Sequence, residues 1–163
     1  MGSGYSGLYS GTSGSSQPYS PSYAVVEDMM NWDIERGIHD EFGYDKNPTA
    51  RNIEEYICGN YIIDKNTNGI FTYVIDLKGK IIIGRRNGNG SSGDPTPHPT
   101  LIGGKNPKVR MAGILEIRGG KIYSYDNKGG HFKPNVKSME VADEIFSKLP
   151  AKPFHKRFKR RLN

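Results

Sequence analysis

Two stretches of this chain each read as a strand, a tight turn and a returning strand: FTYVIDLKGKIIIG at 71–84 and RMAGILEIRGGKIYSYD at 110–126. β-branched and aromatic residues on either side of a Lys-Gly or Gly-Gly pair are the pattern of a hairpin. Runs this apolar have to bury at least one face. The body of the protein is therefore predicted to be built on a mostly antiparallel sheet with helices packed against it, an α+β arrangement. In the second hairpin Ile114 and Ile117 flank Glu116, so that strand is not a clean alternation.

The helices are predicted on either side of the sheet. Val26, Met29, Met30 and Ile34 recur at helical spacing within residues 23–41. Asn47-Pro48-Thr49 is expected to open a second short helix over 49–57, with Ile53, Tyr56 and Ile57 as its apolar face and Gly59 as its stop. Ser138 is expected to cap a helix whose Ala142, Ile145, Phe146 and Leu149 follow the i, i+3, i+4, i+7 pattern. A last helix is predicted from Pro153, with Phe154, Phe158 and Leu162 four apart and Lys156, Arg157, Lys159, Arg160 and Arg161 on the other face. The result is one α+β domain over 23–163: helical at 23–57, sheet and long loop at 60–134, and helical with a basic end at 138–162. Residues 1–22 are mostly Gly, Ser, Tyr and Pro without a charge, and read as a flexible leader.

Charge is distributed unevenly. Residues 1–64 carry ten acids and three bases, and residues 65–163 carry seven acids and twenty bases. That polarity predicts one acidic and one basic surface, and the basic one attracts polyanions. The single cysteine, Cys58, excludes an internal disulfide, and its apolar neighbours suggest a small buried hydrophobe. No apolar run approaches the roughly 18 residues of a membrane span, so no membrane insertion is expected. The leader lacks a basic and an apolar segment, so it does not read as a signal peptide, and if the protein is exported the signal is expected outside this chain.

Several familiar motifs fail on context. GNGSSG at 88–93 matches a dinucleotide fingerprint by letter, but DPTPHP follows where a helix must begin. LIGGKN lacks the upstream glycine of a phosphate loop and the Ser or Thr after Lys105. His39, His98, His131 and His155 show no metal-ligand spacing, so no metal or other cofactor is expected.

What remains is a pair of framed histidines. His98 lies between prolines in DPTPHPTLIGG, and His131 lies in DNKGGHFKP. Proline restricts itself and the residue before it, so His98, directly before Pro99, has few backbone conformations, and His131 again has Gly before and Pro soon after. Both loops leave hairpin strands. Two imidazoles can serve as general base and acid in metal-free RNA cleavage, while nearby donors stabilise the phosphoryl charge. Thr100 and Lys133 are candidates beside the pair, and Arg85, Arg86 and Lys105 are candidates for holding phosphate. The plainer alternative is that each ring binds a loop carbonyl and does nothing more.

HPTLIGG, AGILEIRGGKIYSYDN and GGHFKP, together about residues 70–135, resemble a module at the C-terminal tips of Gram-positive bacterial polymorphic toxins. A similar stretch occurs in plant IQ-motif calmodulin-binding proteins. The leader resembles the junction between a delivery region and a toxic tip. The shared polar positions are His98, Thr100, Asn127 and His131, with Lys133 where the family varies. Gly129 stands where the pattern has Ser, and there is no IQ motif, so calmodulin binding does not carry over. The resemblance implies a toxic domain, secreted or displayed as part of a larger protein. It would act in a target-cell cytoplasm and be neutralised by a cognate immunity protein.

Such tips are often nucleases, and sometimes ADP-ribosyltransferases or NAD hydrolases. The leading expectation is thus a ribonuclease with RNA as partner. The alternatives are an NAD-consuming enzyme using Glu116 and Tyr125 with NAD as substrate, and a non-enzymatic binding module.

Overall fold

A computed structural model describes residues 16–85 and 96–160. In chain order its strands are β1 (Tyr23–Ala24), β2 (His39–Asp40), β3 (Gly43–Tyr44), β4 (Arg51–Asn52), β5 (Ile57–Cys58), β6 (Tyr61–Ile62), β7 (Gly69–Ile75), β8 (Ile81–Arg85), β9 (Lys108–Val109), β10 (Met111–Arg118) and β11 (Lys121–Tyr125). The helices are α1 (Glu27–Glu35) and α2 (Met139–Ser147). Both predicted hairpins form. They join through β7 and β10 into an antiparallel sheet ordered β11-β10-β7-β8-β4. The irregular alternation around Glu116 is a register shift against β11 between Glu116 and Ile117, as a bulge requires.

Alternation along the strands divides the apolar residues between two cores. Phe71, Tyr73, Ile75, Ile81, Ile83, Met111 and Leu115 face one side, where Met139, Ala142 and Phe146 of α2 cover them. Phe146 stacks on Tyr125 with centroids 4.1 Å apart and meets Tyr73 edge-on. Val74 and Ala112 face the other side, beneath Met29 of α1, Leu101, Val109 and Phe132. The α+β class and the mainly antiparallel sheet are as the sequence predicts. No helix among the described residues is long and apolar enough to cross a membrane.

The helical ends depart from expectation. Only α1 forms in the N-terminal part, and instead of a helix over 49–57 there is a 3₁₀ turn at Ile53–Tyr56. Asn47 explains this, because its side-chain oxygen accepts from both the amide and the hydroxyl of Thr49. That local turn delivers the chain into β4, and Asn52 caps the 3₁₀ turn by accepting from the amide of Glu54. Cys58 is exposed in a two-residue strand, not buried. Ser138 precedes α2 but its side chain accepts no cap hydrogen bond, and its hydroxyl instead lies 2.6 Å from that of Tyr23.

The predicted basic helix from Pro153 does not form within the described residues; Arg161 and Leu162 lie outside them. Ala151 and Lys152 take positive φ values of 63° and 42°, which end helical geometry. The chain then pairs with the open edge of β11. The amide of Ile122 donates to Pro153, His155 donates to Ile122, and Lys159 donates to Tyr123. A helix here would leave that edge unpaired. Phe154 and Phe158 still pack on the α2-side core. Part of the leader is also docked. The Gln17 side chain donates to the carbonyls of Ala24 and Phe132, and its amide donates to Lys133.

Candidate functional site

Both framed histidines lie on the α1 side of the sheet. His98 opens a 3₁₀ turn, His98–Leu101, that sits on β7 and β8 through Leu101, and Thr72 donates to the carbonyl of Thr96 just before it. His131 precedes Phe132, whose ring is in the same core as Met29 of α1. The two loops converge on the start of β10. Gly129 approaches Ala112 so closely that a Cβ on it would lie 2.6 Å from the Ala112 methyl. One residue further, the Gly113 carbonyl is 2.8 Å from Nε2 of His98.

Each imidazole is buried and has Nε2 committed. His98 is 5% exposed, and with a carbonyl as partner its Nε2 must carry the proton. His131 is 4% exposed, with Nε2 3.1 Å and 3.4 Å from the two carboxylate oxygens of Asp33. Asp33 is fully buried on α1 and accepts a 2.5 Å hydrogen bond from the Tyr44 hydroxyl. The ring of Tyr44 in turn meets His39 edge-on at 4.7 Å, and Nε2 of His39 is 3.1 Å from the Lys105 carbonyl. A buried carboxylate thus ties α1, β3 and the His131 loop together.

The remaining candidates are dispersed. Thr100 donates its hydroxyl to Pro97 inside the 3₁₀ turn. Lys133 has a φ of 45°, and burial lowers its pKa against the opposing pull of Asp28. Asn127 is buried. Its amide reaches the Pro134 carbonyl only at 3.4 Å, and its side-chain oxygen has no donor among the described residues. Arg85 pairs across from Phe71 with its guanidinium 5.5 Å from that ring, on the α2 side and away from both histidines. Arg86 and GNGSSG lie outside the described residues.

The two residues expected for NAD chemistry point to opposite faces. Glu116 pairs with Arg118 at 2.7 Å, whereas Tyr125 stacks under α2 and donates to Asp143. Burial, and then the bond to Asp143, hold the Tyr125 hydroxyl well above its usual pKa.

Asp33 and Tyr44 are the residues that the sequence reading missed. The available signal was position: Asp33 is four residues after Met29, on the apolar face of α1. Tyr44→Phe keeps the ring and removes one donor to a buried carboxylate. It is expected to cost about 1.5–3 kcal/mol in urea denaturation, as for a hydrogen bond to a charged group.

No protein-family model, curated protein or solved structure matches this chain.

Proposed function

We propose that this is a metal-independent ribonuclease toxin domain in which His98 and His131 transfer protons, acting in a target-cell cytoplasm and restrained there by an immunity protein. The buried His131–Asp33 pair carries the reading. A carboxylate on one ring nitrogen fixes the tautomer and orientation of an imidazole and stabilises its protonated form. The Gly113 carbonyl orients His98 in the same way, without the charge. One ring takes the ribose 2′-hydroxyl proton as the 2′-oxygen attacks phosphorus, and the other protonates the departing 5′-oxygen.

The depth of both rings favours a second reading, a binding module in which the histidines only brace the loops. His98→Gln and His131→Gln separate the two, because a glutamine amide can still donate where Nε2–H does but cannot carry a proton through a reaction. In cells expressing the domain, the ribonuclease reading expects RNA breakdown with the wild type. It expects at least about a 100-fold loss of cleavage in each variant, the usual contribution of a positioned acid or base. Intact RNA of every class beside growth arrest would sink it, and so would undiminished cleavage by the double variant.

A further inference from the structure

A second feature on the α1 side is a groove of about 510 Å³ between the β7–β8 turn and the segment 101–108 that follows the His98 turn. Its rim carries Lys46, Lys78, Lys105 and Lys108, all exposed. None of the four joins an ion pair within the described residues. Asp76, the only acid in the lining among the described residues, spends one carboxylate oxygen on the amides of Lys78 and Lys80. The wall is kept low by Gly103, where a Cβ would press to 3.1 Å from that of Lys46. Apolar floor comes from Leu101, Ile102 and Ile82, and no aromatic side chain among the described residues lines it.

We propose that this groove binds the phosphate backbone of single-stranded RNA, an inference that rests on the ribonuclease reading for the identity of the polyanion. Four lysines with no ion pair among the described residues, against one aspartate already accepting from two amides, make a site for repeated negative charge. Without an aromatic platform it has nothing on which to stack bases, so it follows the backbone and does not read sequence. Segment 101–108 begins at the end of the His98 turn, so one continuous piece of chain carries both His98 and a wall of the groove. Lysine contacts to a single strand release counterions, so affinity falls with salt at a slope of about −0.7 per contact, and four contacts give a slope near about −3.

The test uses the whole chain and a 2′-O-methyl RNA oligonucleotide, which keeps the phosphates and cannot be cleaved through a 2′-hydroxyl. Fluorescence anisotropy across a salt series compares wild type with K78Q/K105Q, and with K65Q/K137Q as a control of equal net charge. Lys65 and Lys137 are exposed and do not line the groove. The groove variant is expected to bind at least about tenfold more weakly and to lower the slope by about 1.4, with the control near wild type. Absence of wild-type binding, unchanged binding by the groove variant, or an equal loss in the control would each overturn the proposal. Cleavage is read separately on unmodified RNA. Groove-dependent binding without cleavage removes the ribonuclease reading and leaves the groove. Cleavage indifferent to the lysines does the reverse.

Discussion

Asp33→Ala is expected to lower the free energy of unfolding by about 3–5 kcal/mol, a large share of the roughly 5–15 kcal/mol that holds a domain of this kind. The carboxylate is fully buried and receives the Tyr44 hydroxyl at 2.5 Å and Nε2 of His131 at 3.1 Å. Removing it takes an acceptor from two buried donors at once, and neither loop can turn them to solvent without releasing the α1-side core. Coulombic attraction alone is a poor guide to the cost, because a buried pair has already lost its hydration. The penalty comes from what is left unpaired. Asp33→Asn keeps the shape and one acceptor, and should cost clearly less than alanine. The measurement is urea denaturation followed by circular dichroism, with an expected fall in midpoint of about 1.5–2.5 M at a slope of about 2 kcal/mol/M. A double-mutant cycle with Tyr44→Phe should show strong coupling, since both changes act on the same oxygen. A shift below about 0.5 kcal/mol for Asp33→Ala would mean that the pair contributes nothing to holding α1 on the sheet.

The same carboxylate shows where sequence reading reaches its limit. Strands were legible because their side chains alternate locally, and even the bulge left its mark in the Ile114–Glu116–Ile117 spacing. The histidines were legible because proline and glycine frame them within a few residues. Asp33 is 98 positions from His131 in sequence and sits among other acids on an acidic helix, so only the fold distinguishes it from its solvated neighbours. The C-terminal segment failed for a related reason. Phe154 and Phe158, four apart, fit a helix, and both do turn inward, but two positive-φ residues at 151 and 152 redirect the chain. The edge of β11, invisible in local periodicity, then captures it. Lys46, Lys78, Lys105 and Lys108 likewise come from separate segments and meet only in the folded chain.

Gly113→Ala should be more damaging than its single methyl group suggests, with a loss above about 4 kcal/mol or failure to accumulate folded protein. A Cβ at this position would lie 2.0 Å from the carbonyl oxygen of Asp126 and 2.7 Å from its carbonyl carbon. Both are backbone atoms just beyond β11, where the amide of Asp126 donates to Ile114 and its side chain accepts from the Ile114 amide. The backbone of Gly113 is not in the left-handed region, so the requirement is space and not conformational freedom. Gly37 supplies the contrast: its φ is +77°, yet nothing lies within 4 Å of a Cβ built there. Alanine at Gly37 should cost only about 1–2 kcal/mol, the strain of a left-handed residue. If the two substitutions prove equally mild, the close approach of β10 to the Asp126 turn is not what this glycine is for. If they separate as expected, the consequence reaches the site. Room for Asp126 can be made only by moving β10 or the chain beyond β11, and the Gly113 carbonyl that orients His98 moves with β10. Under the ribonuclease proposal, a residual folded fraction of Gly113→Ala should therefore lose RNA cleavage more steeply than it loses stability, which a cleavage assay normalised to the folded fraction would reveal.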